Sequence, residues 1–422
     1  MMSMLAGMRD TTLYATILGV EAPWRVTEVQ PTVGSGEIVV LVDAPAPAKF
    51  TCPVCNSECP RHDHRKRRWR HLPTCQYRTI IEVNVPRVRC EEHGVHQVAV
   101  PWAEANSSFT ALFEALVSAW LHEASIPAVA ERMVLTWDQV DGIMQRAVAR
   151  GLARRGPLDL TRIGVDETSF QKRRKYVTVV NDLVGGNVVW VADGRDREAL
   201  DSFYRSLPRP TLARIEAVAM DMWKPYSFSA AVFVPDAEYK IAFDRFHVVK
   251  HLGDAVDRVR RIENRKLSAA GDDRLKRTKY DWLRRDGSLT GDHKVRFEGL
   301  KGSSLETAKA FALKEAAIGI WGYKVRGWAR RARSSWLGWA SESCLTPMVK
   351  VAKMIRFHLI GILNADVLGV TNARAESLNA KIQKVKRMAC GYRSRVRFRH
   401  AIYFHLGGLD LSPQAAATHT RS

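Results

Sequence analysis

The sequence has no run of the ~18 or more uninterrupted apolar residues that a membrane-spanning helix needs, so no membrane partner is expected. Its opening lacks the basic-then-apolar pattern of an export signal, because Arg9 and Asp10 break a short apolar start. No internal repeat is visible, which argues against a solenoid or an array. Cysteine is scarce outside one block: of seven, only Cys344 and Cys390 lie beyond the stretch from Cys52 to Cys90. An odd count, C-x-x-C spacing and no export signal argue against disulfides and for a metal in a reducing cytoplasm. Acid is the remaining shortage. The 422 residues carry 44 Asp and Glu against 65 Lys and Arg, a formal net charge of +21. That excess favours a polyanion, most commonly nucleic acid. A basic membrane-surface protein or a ribosome-associated factor is the competing class. With 46% apolar and 26% charged residues, the chain is globular and long enough for two or three domains.

The pattern changes several times along the chain. Residues 1–45 read as a leader with short strands, including Glu37–Asp43. A cysteine-rich block occupies 46–104, and a helical block fills 105–157, closed by the breaker pair Gly156-Pro157. From 158 the runs RIGVDETSF, KYVTVVNDL and NVVWVADG are rich in β-branched residues. A helix near Arg197 to Leu207, a strand over Ile215–Asp221, another helix and a strand over Glu238–Asp244 follow. Three linked strands, then strands alternating with helices, read as a mixed α/β sheet. Residues 248–364 are mostly helical, 365–406 hold a further helix, and 407–422 read as a disordered tail.

In the cysteine block, Cys52-x-x-Cys55 and Cys90-x-x-His93 form two knuckles able to build a four-ligand zinc site. Cys59, Cys75 and His96 are alternative ligands. With four protein ligands the zinc is structural, since catalysis needs an open position. Arg65, Lys66, Arg67, Arg68 and Arg70 lie between the knuckles and suit phosphate, or a plain solvated loop. In the helical block, SIPAVAERMVLTWDQVDGIMQRAV has helix-turn-helix proportions. Helix Ile126–Met133 meets a turn at Val134-Leu135, and Thr136 caps a second helix. The start of that second helix, Thr136, Trp137 and Gln139, is then placed to meet base edges.

The strand RIGVDETSF carries Asp166 after an apolar run, and IEAVAMDMW carries Asp221 at the end of another. Neighbouring strands lie about 4.8 Å apart, so the two can share a divalent cation, and hard carboxylate ligands suit magnesium. A third carboxylate is found in TNARAESLNAKIQKVKRMACGYR. At about 100° per residue, Asn372, Glu376, Asn379 and Gln383 share one helical face. Ala375, Leu378, Ile382, Val385 and Ala389 form an apolar face. Lys381, Lys384, Lys386 and Arg387 extend the polar surface as a phosphate path. Glu167, Asp193, Asp196 and Asp244 are competing acids. The order of first strand, fourth strand and late helix is that of an RNase H-like nuclease fold.

At these residues the chain resembles the bacterial insertion-sequence transposases of the ISL-three family. The segments that carry the resemblance are CPVC with RVRC, IGVDETSF, AVAMDMWKPY, FDRFHVVKHL and TNARAESLNAKIQKVKRMACGYR. It implies a zinc-binding domain, a helix-turn-helix and an RNase H-like core split by a helical insertion. Asp166, Asp221 and Glu376 match the DDE positions, implying two catalytic magnesium (or manganese) ions. FDRFH resembles a D-x-x-H signature and implies supporting roles for Asp244 and His247. A hydrogen-bonded histidine at a helix start is the plainer alternative for His247. His93 departs from the cysteine expected in the second knuckle. The 155 positions between Asp221 and Glu376 leave room for the insertion. There Trp321, Trp328, Trp336 and Trp339 are expected to pack on one helical face, or to include one that stacks on an unpaired base.

The implied activity is cleavage and joining of double-stranded DNA at terminal inverted repeats and a target, by at least a dimer, in the bacterial cytoplasm on the nucleoid. A domesticated, inactive DNA-binding regulator and a structure-specific nuclease without strand transfer are the alternatives.

Overall fold

The computed structural model describes residues 10–413, apart from 47, 172–174, 286, 289, 321–325 and 371–372. It comprises two units, the first spanning Met1–Gly156, Met388–Cys390 and Leu409–Ser422, the second Pro157–Arg387 and Gly391–Gly408.

The first unit begins with α1 (Asp10–Leu18), β1 (Arg25–Thr32) and β2 (Glu37–Asp43). β3 (Phe50–Thr51), β4 (Glu58–Cys59), β5 (Arg61–Arg70), β6 (Arg78–Cys90) and β7 (Gly94–Gln97) follow. The main sheet runs β1-β2-β6-β5, with β7 on β6. Alternate residues of β2 and β6 are buried, which is how a half-buried sheet uses Val and Ile. Trp24, Trp69 and Trp102 complete this core. β2 pairs in parallel with β6, so the leader and the cysteine block share one sheet. α1 and β1 escape sequence reading. α1 buries only Tyr14 and Leu18, and β1 buries none of its residues fully, so neither shows a clear period.

Three helices complete the unit: α2 (Ala111–Glu123), α3 (Ile126–Met133) and α4 (Trp137–Arg154). Thr110, Ser125 and Thr136 cap their starts, and Val134 makes the left-handed turn between α3 and α4. Buried Glu114 accepts hydrogen bonds from Arg146 and Ser107, tying α4 to the start of α2. The expected disordered tail is corrected over its described part. The Leu411 carbonyl accepts from Arg150 at 2.9 Å, and Arg154 pairs with Asp410 at 3.0 Å. Leu409 lies where a side chain at Gly151 would stand.

The second unit is built on β8 (Arg162–Gln171), β9 (Lys175–Asp182), β10 (Val188–Asp193), β11 (Ala217–Met220) and β12 (Ile241–Phe243). The strand order is β10-β9-β8-β11-β12. β8, β9 and β10 form an antiparallel meander, while β11 and β12 join in parallel. Helices α5 (Arg197–Ser206), α6 (Arg209–Arg214), α7 (Lys224–Phe233) and α8 (Ala237–Lys240) make the crossovers. The strand expected from Glu238 starts only at Ile241. Tyr239 donates back to the Asp236 carbonyl, so the exposed Glu238 and Tyr239 lie in a helical turn.

After β12 come α9 (Arg245–Ala269), α10 (Lys279–Leu283), α11 (Gly291–Lys301), α12 (Glu306–Gly319), α13 (Arg326–Glu342), α14 (Thr346–Phe357) and α15 (Leu359–Val367). Glu263 on α9 accepts from the backbone N–H groups of Glu306 and Thr307 at 2.7 and 2.8 Å, capping α12 from outside. α16 (Ala373–Met388) and α17 (Arg395–Leu406) end the unit. The tryptophan stripe is corrected. Trp336 is buried and donates to the Leu313 carbonyl, whereas Trp328 and Trp339 are exposed. At about 100° per residue, Trp328 and Trp339 share a direction and Trp336 points roughly 60–80° away. Trp321 lies outside the described residues.

The two faces of the sheet differ. Ile163, Val165, Val218, Met220, Ile241 and Phe243 enter the main core. Ala217, Ala219 and Ala242 face a small second cluster with Ala365 and Val370. α15 approaches closely, because a Cβ on Gly361 would lie 2.4 Å from the Phe243 ring. Gly361→Ala is therefore expected to destabilise the protein by about 1–3 kcal/mol through overpacking, read as a lower midpoint in chemical denaturation.

Candidate metal centres and nucleic-acid interface

The register of the second sheet sets the acid positions. β8 and β11 pair Arg162 with Ala217, Ile163 with Val218 and Gly164 with Ala219. Continued two steps, that register brings Asp166 level with Asp221. β11 and β12 pair Val218 with Ile241 and Met220 with Phe243, and one further step brings Asp221 level with Asp244. The Asp244 N–H donates to the Met220 carbonyl at 3.1 Å, holding this level together. Val165, Met220 and Phe243 turn into the core, so by alternation the three aspartates share the opposite face.

Each carboxylate has a defined environment. Asp166 Oδ1 accepts from the Glu167 N–H at 2.7 Å, and its Oδ2 accepts from the Asn379 amide. Burial pushes its carboxyl up to about 6, with a smaller push from the charges of Glu167 and Asp221 and an opposing pull from the Glu167 N–H bond and His247. Asp221 Oδ1 accepts from the Met222 N–H at 2.6 Å. The His247 ring stands between two acids, 3.5 Å from Asp221 and 4.0 Å from Asp244. Glu376 sits in the first turn of α16, and its carboxyl is raised by burial and then by the nearby Asp244. Among the described residues, no three of these acidic groups lie all within 4.8 Å of one another as the cysteine set does.

α16 is fastened along β8. Asn379 donates to Asp166, Gln383 to Thr168 at 2.6 Å, and the Lys386 ammonium to the Ser169 carbonyl at 2.6 Å. Ala375, Leu378, Ile382 and Val385 are buried, as the helical period requires. Ala389 lies past the helix end and is half-buried. Lys386, expected as a phosphate contact, gives one of its three N–H donors to β8. Lys381, Lys384 and Arg387 are exposed. Asn372 lies outside the described residues. Sequence reading missed Arg195, which lies over the rings of Tyr176 and Trp223 and stands 3.6 Å from Glu167. No linear motif announces it, since its partners come from three separate segments.

In the first unit, Cys52, Cys55, Cys90 and His93 are the one set of at least three such ligands grouped within 4.8 Å among the described residues. Cys55 Sγ lies 3.7 Å from Cys90 Sγ, which lies 3.5 Å from His93 Nδ1. Tetrahedral zinc with bonds near 2.3 Å to sulfur and 2.0–2.1 Å to nitrogen needs edges of about 3.8 and 3.5 Å. Hydrogen bonds from Ser57 hold the Cys55 thiol down at about 6, favouring the thiolate a metal requires. The alternative ligands are engaged or apart: Cys59 donates to the Ser57 carbonyl, Cys75 is exposed and His96 bonds the His93 carbonyl. In the helix-turn-helix, Thr136 and Gln139 bond each other's backbone N–H in a capping box. Their side-chain oxygens are thus committed to the helix start, beside a half-buried Trp137. On the basic strand, Arg67 and Arg70 turn to internal carbonyl partners, Lys66 pairs with Glu82, and Arg68 lies near Glu37 and Glu82.

A zinc knuckle pair, a helix-turn-helix and an acid-bearing mixed sheet, in that order, define a nucleic-acid-processing protein. Comparison with known proteins gives the family. Residues 163–402, more than half of the chain, match a family model described as transposase, of the ISL3 type. Residues 48–93 match the zinc-finger of transposase IS204/IS1001/IS1096/IS1165, and 98–148 the helix-turn-helix domain of transposase family ISL3. The chain belongs to the ISL3 transposase family and is a DNA transposase. It is 28% identical to the transposase for insertion sequence element IS1001 of Bordetella parapertussis, over 86% of this chain and 90% of that one. It is 29% identical to the transposase for insertion sequence element IS1557 of Mycobacterium tuberculosis, over 92% and 93%. The family and the Cys3His cluster together indicate structural zinc. No described helix is long and apolar enough to cross a membrane.

Two measurements check these centres. Purified protein is expected to carry one zinc per chain by elemental analysis, and Cys52→Ser to lose it together with much of the first unit's stability. Asp166 titrates higher folded than unfolded (~3.9), so stability of the metal-free protein falls as pH rises from about 4 through about 6. Asp166→Asn is expected to stabilise it by roughly 1–3 kcal/mol at pH 7.5, with the gain shrinking toward pH 4 in denaturant titrations.

Proposed function

We propose that this transposase cuts the ends of its insertion sequence and joins the freed 3′ hydroxyl to target DNA, using an RNase H-like core in which Asp166, Asp221 and Glu376 hold magnesium or manganese. The strand order β10-β9-β8-β11-β12, with Asp166 and Asp221 level on adjacent parallel strands, carries this reading. The helices of 248–364 are then the insertion, and α16 and α17 return to the core.

The residues fit divalent metal. They are hard oxygen donors, Asp166 is buried as a carboxyl, and one oxygen of Asp244 accepts no hydrogen bond. When bound, such ions stabilise the attacking and leaving oxygens of an in-line displacement. The protein's own part is orientation. Asn379 fixes the Asp166 carboxylate, and the bonds of Gln383 and Lys386 to β8 fix α16 so that Glu376 stands at its open end. His247 stands between Asp221 and Asp244 and helps set their positions. Lys381, Lys384 and Arg387 supply a basic edge for the phosphate backbone, and the zinc ribbon and helix-turn-helix read the terminal inverted repeats. Pairing two ends requires at least a dimer.

Labelled element-end DNA decides the matter. Cleavage and strand transfer are expected with Mg2+ and to stop with chelator. Asp166→Ala, Asp221→Ala and Glu376→Ala are each expected to lower cleavage by on the order of 10²-fold or more. Cleavage that survives all three substitutions refutes the site. Cutting without joining favours a nuclease, and binding without cutting in any divalent metal favours a regulator.

A further inference from the structure

We infer that Asp244 is itself a metal ligand, completing a row of three aspartates, and that its helix-capping role is secondary. The inference rests on the proposed divalent-metal site and adds a residue to it.

Three observations carry it. The first is the row. The register that brings Asp166 level with Asp221 continues across β12 to Asp244, so adjacent strands offer one carboxylate each on one face of the sheet. The second is burial. Asp244 is only 9% exposed, yet its Oδ2 has no hydrogen-bond donor. A buried acceptor left unpaired costs about 1–3 kcal/mol, and more when charged. Capping does not account for that cost. Oδ1 alone accepts from the Phe246 N–H at 3.1 Å to cap α9. Asparagine or serine caps a helix as well without burying charge. The third is the company Oδ2 keeps. His247 stands 4.0 Å away, too far for a hydrogen bond, and leans nearer to Asp221. An ion held by Asp244 with Asp221 or Glu376 gives the unpaired oxygen a partner.

Asp244→Asn separates the two roles, because its amide oxygen retains the cap while the carboxylate is lost. Mn2+ binding to the full zinc-loaded chain, followed by electron paramagnetic resonance, gives a readout apart from activity. Asp244→Asn is expected to weaken Mn2+ binding at least about tenfold, as Asp221→Asn does, with a metal-free melting temperature no lower than the wild type. Wild-type Mn2+ binding by Asp244→Asn while Asp221→Asn is weakened overturns this inference and leaves the underlying site standing. Wild-type binding by both variants overturns the site itself. Asp244→Ser, which also caps, replaces the asparagine variant if that one fails to fold, with the same two outcomes deciding.

Discussion

Parallel pairing of β8, β11 and β12 is the constraint on which the rest of the second unit depends. Parallel strands have a fixed stagger, and here that stagger converts spacing along the chain into proximity. Asp166 and Asp221 are 55 positions apart in sequence, and the β8–β11 register is offset by the same 55. Shifting either strand by one residue would turn its acid into the core and its valine or methionine outward. The large apolar face is what forbids that slip. Val165, Met220 and Phe243 are each buried immediately before an aspartate, so packing energy fixes acid position.

The opposite face is deliberately shallow. Gly164, Ala219 and Ala242 leave little side-chain volume under the row of acids. α16 is tied to β8 by three side-chain bonds. The result is a group of carboxylates held by hydrogen bonds to its own flank, with the His247 ring beside two of them. Such a site is costly in isolation and suited to a cation.

Much of this was legible in the sequence where a period or a motif was local. The helix-turn-helix bounds, the Thr136 cap and the buried face of α16 follow from helical spacing within a single segment. The grouping of Cys52, Cys55, Cys90 and His93 follows from two knuckles. What could not be read was pairing between distant segments. The parallel β2–β6 ladder joins the leader to the cysteine block, Lys386 turns to Ser169, and Arg195 meets Tyr176 and Trp223. Short polar elements such as β1 also carry no period, since burial does not select their residues. The tryptophans of α13 misled because shared helical spacing does not decide which direction meets a neighbour.

The short segment after α17 has a consequence for chain connectivity. Residues 409–413 return to α4, where Leu409 occupies the space over Gly151 and Arg150 holds the Leu411 carbonyl. The second unit is therefore spliced into the first, entered near 157 and left near 408. The unit that carries the row of aspartates is in this sense bracketed along the chain by the unit that carries the cysteine cluster.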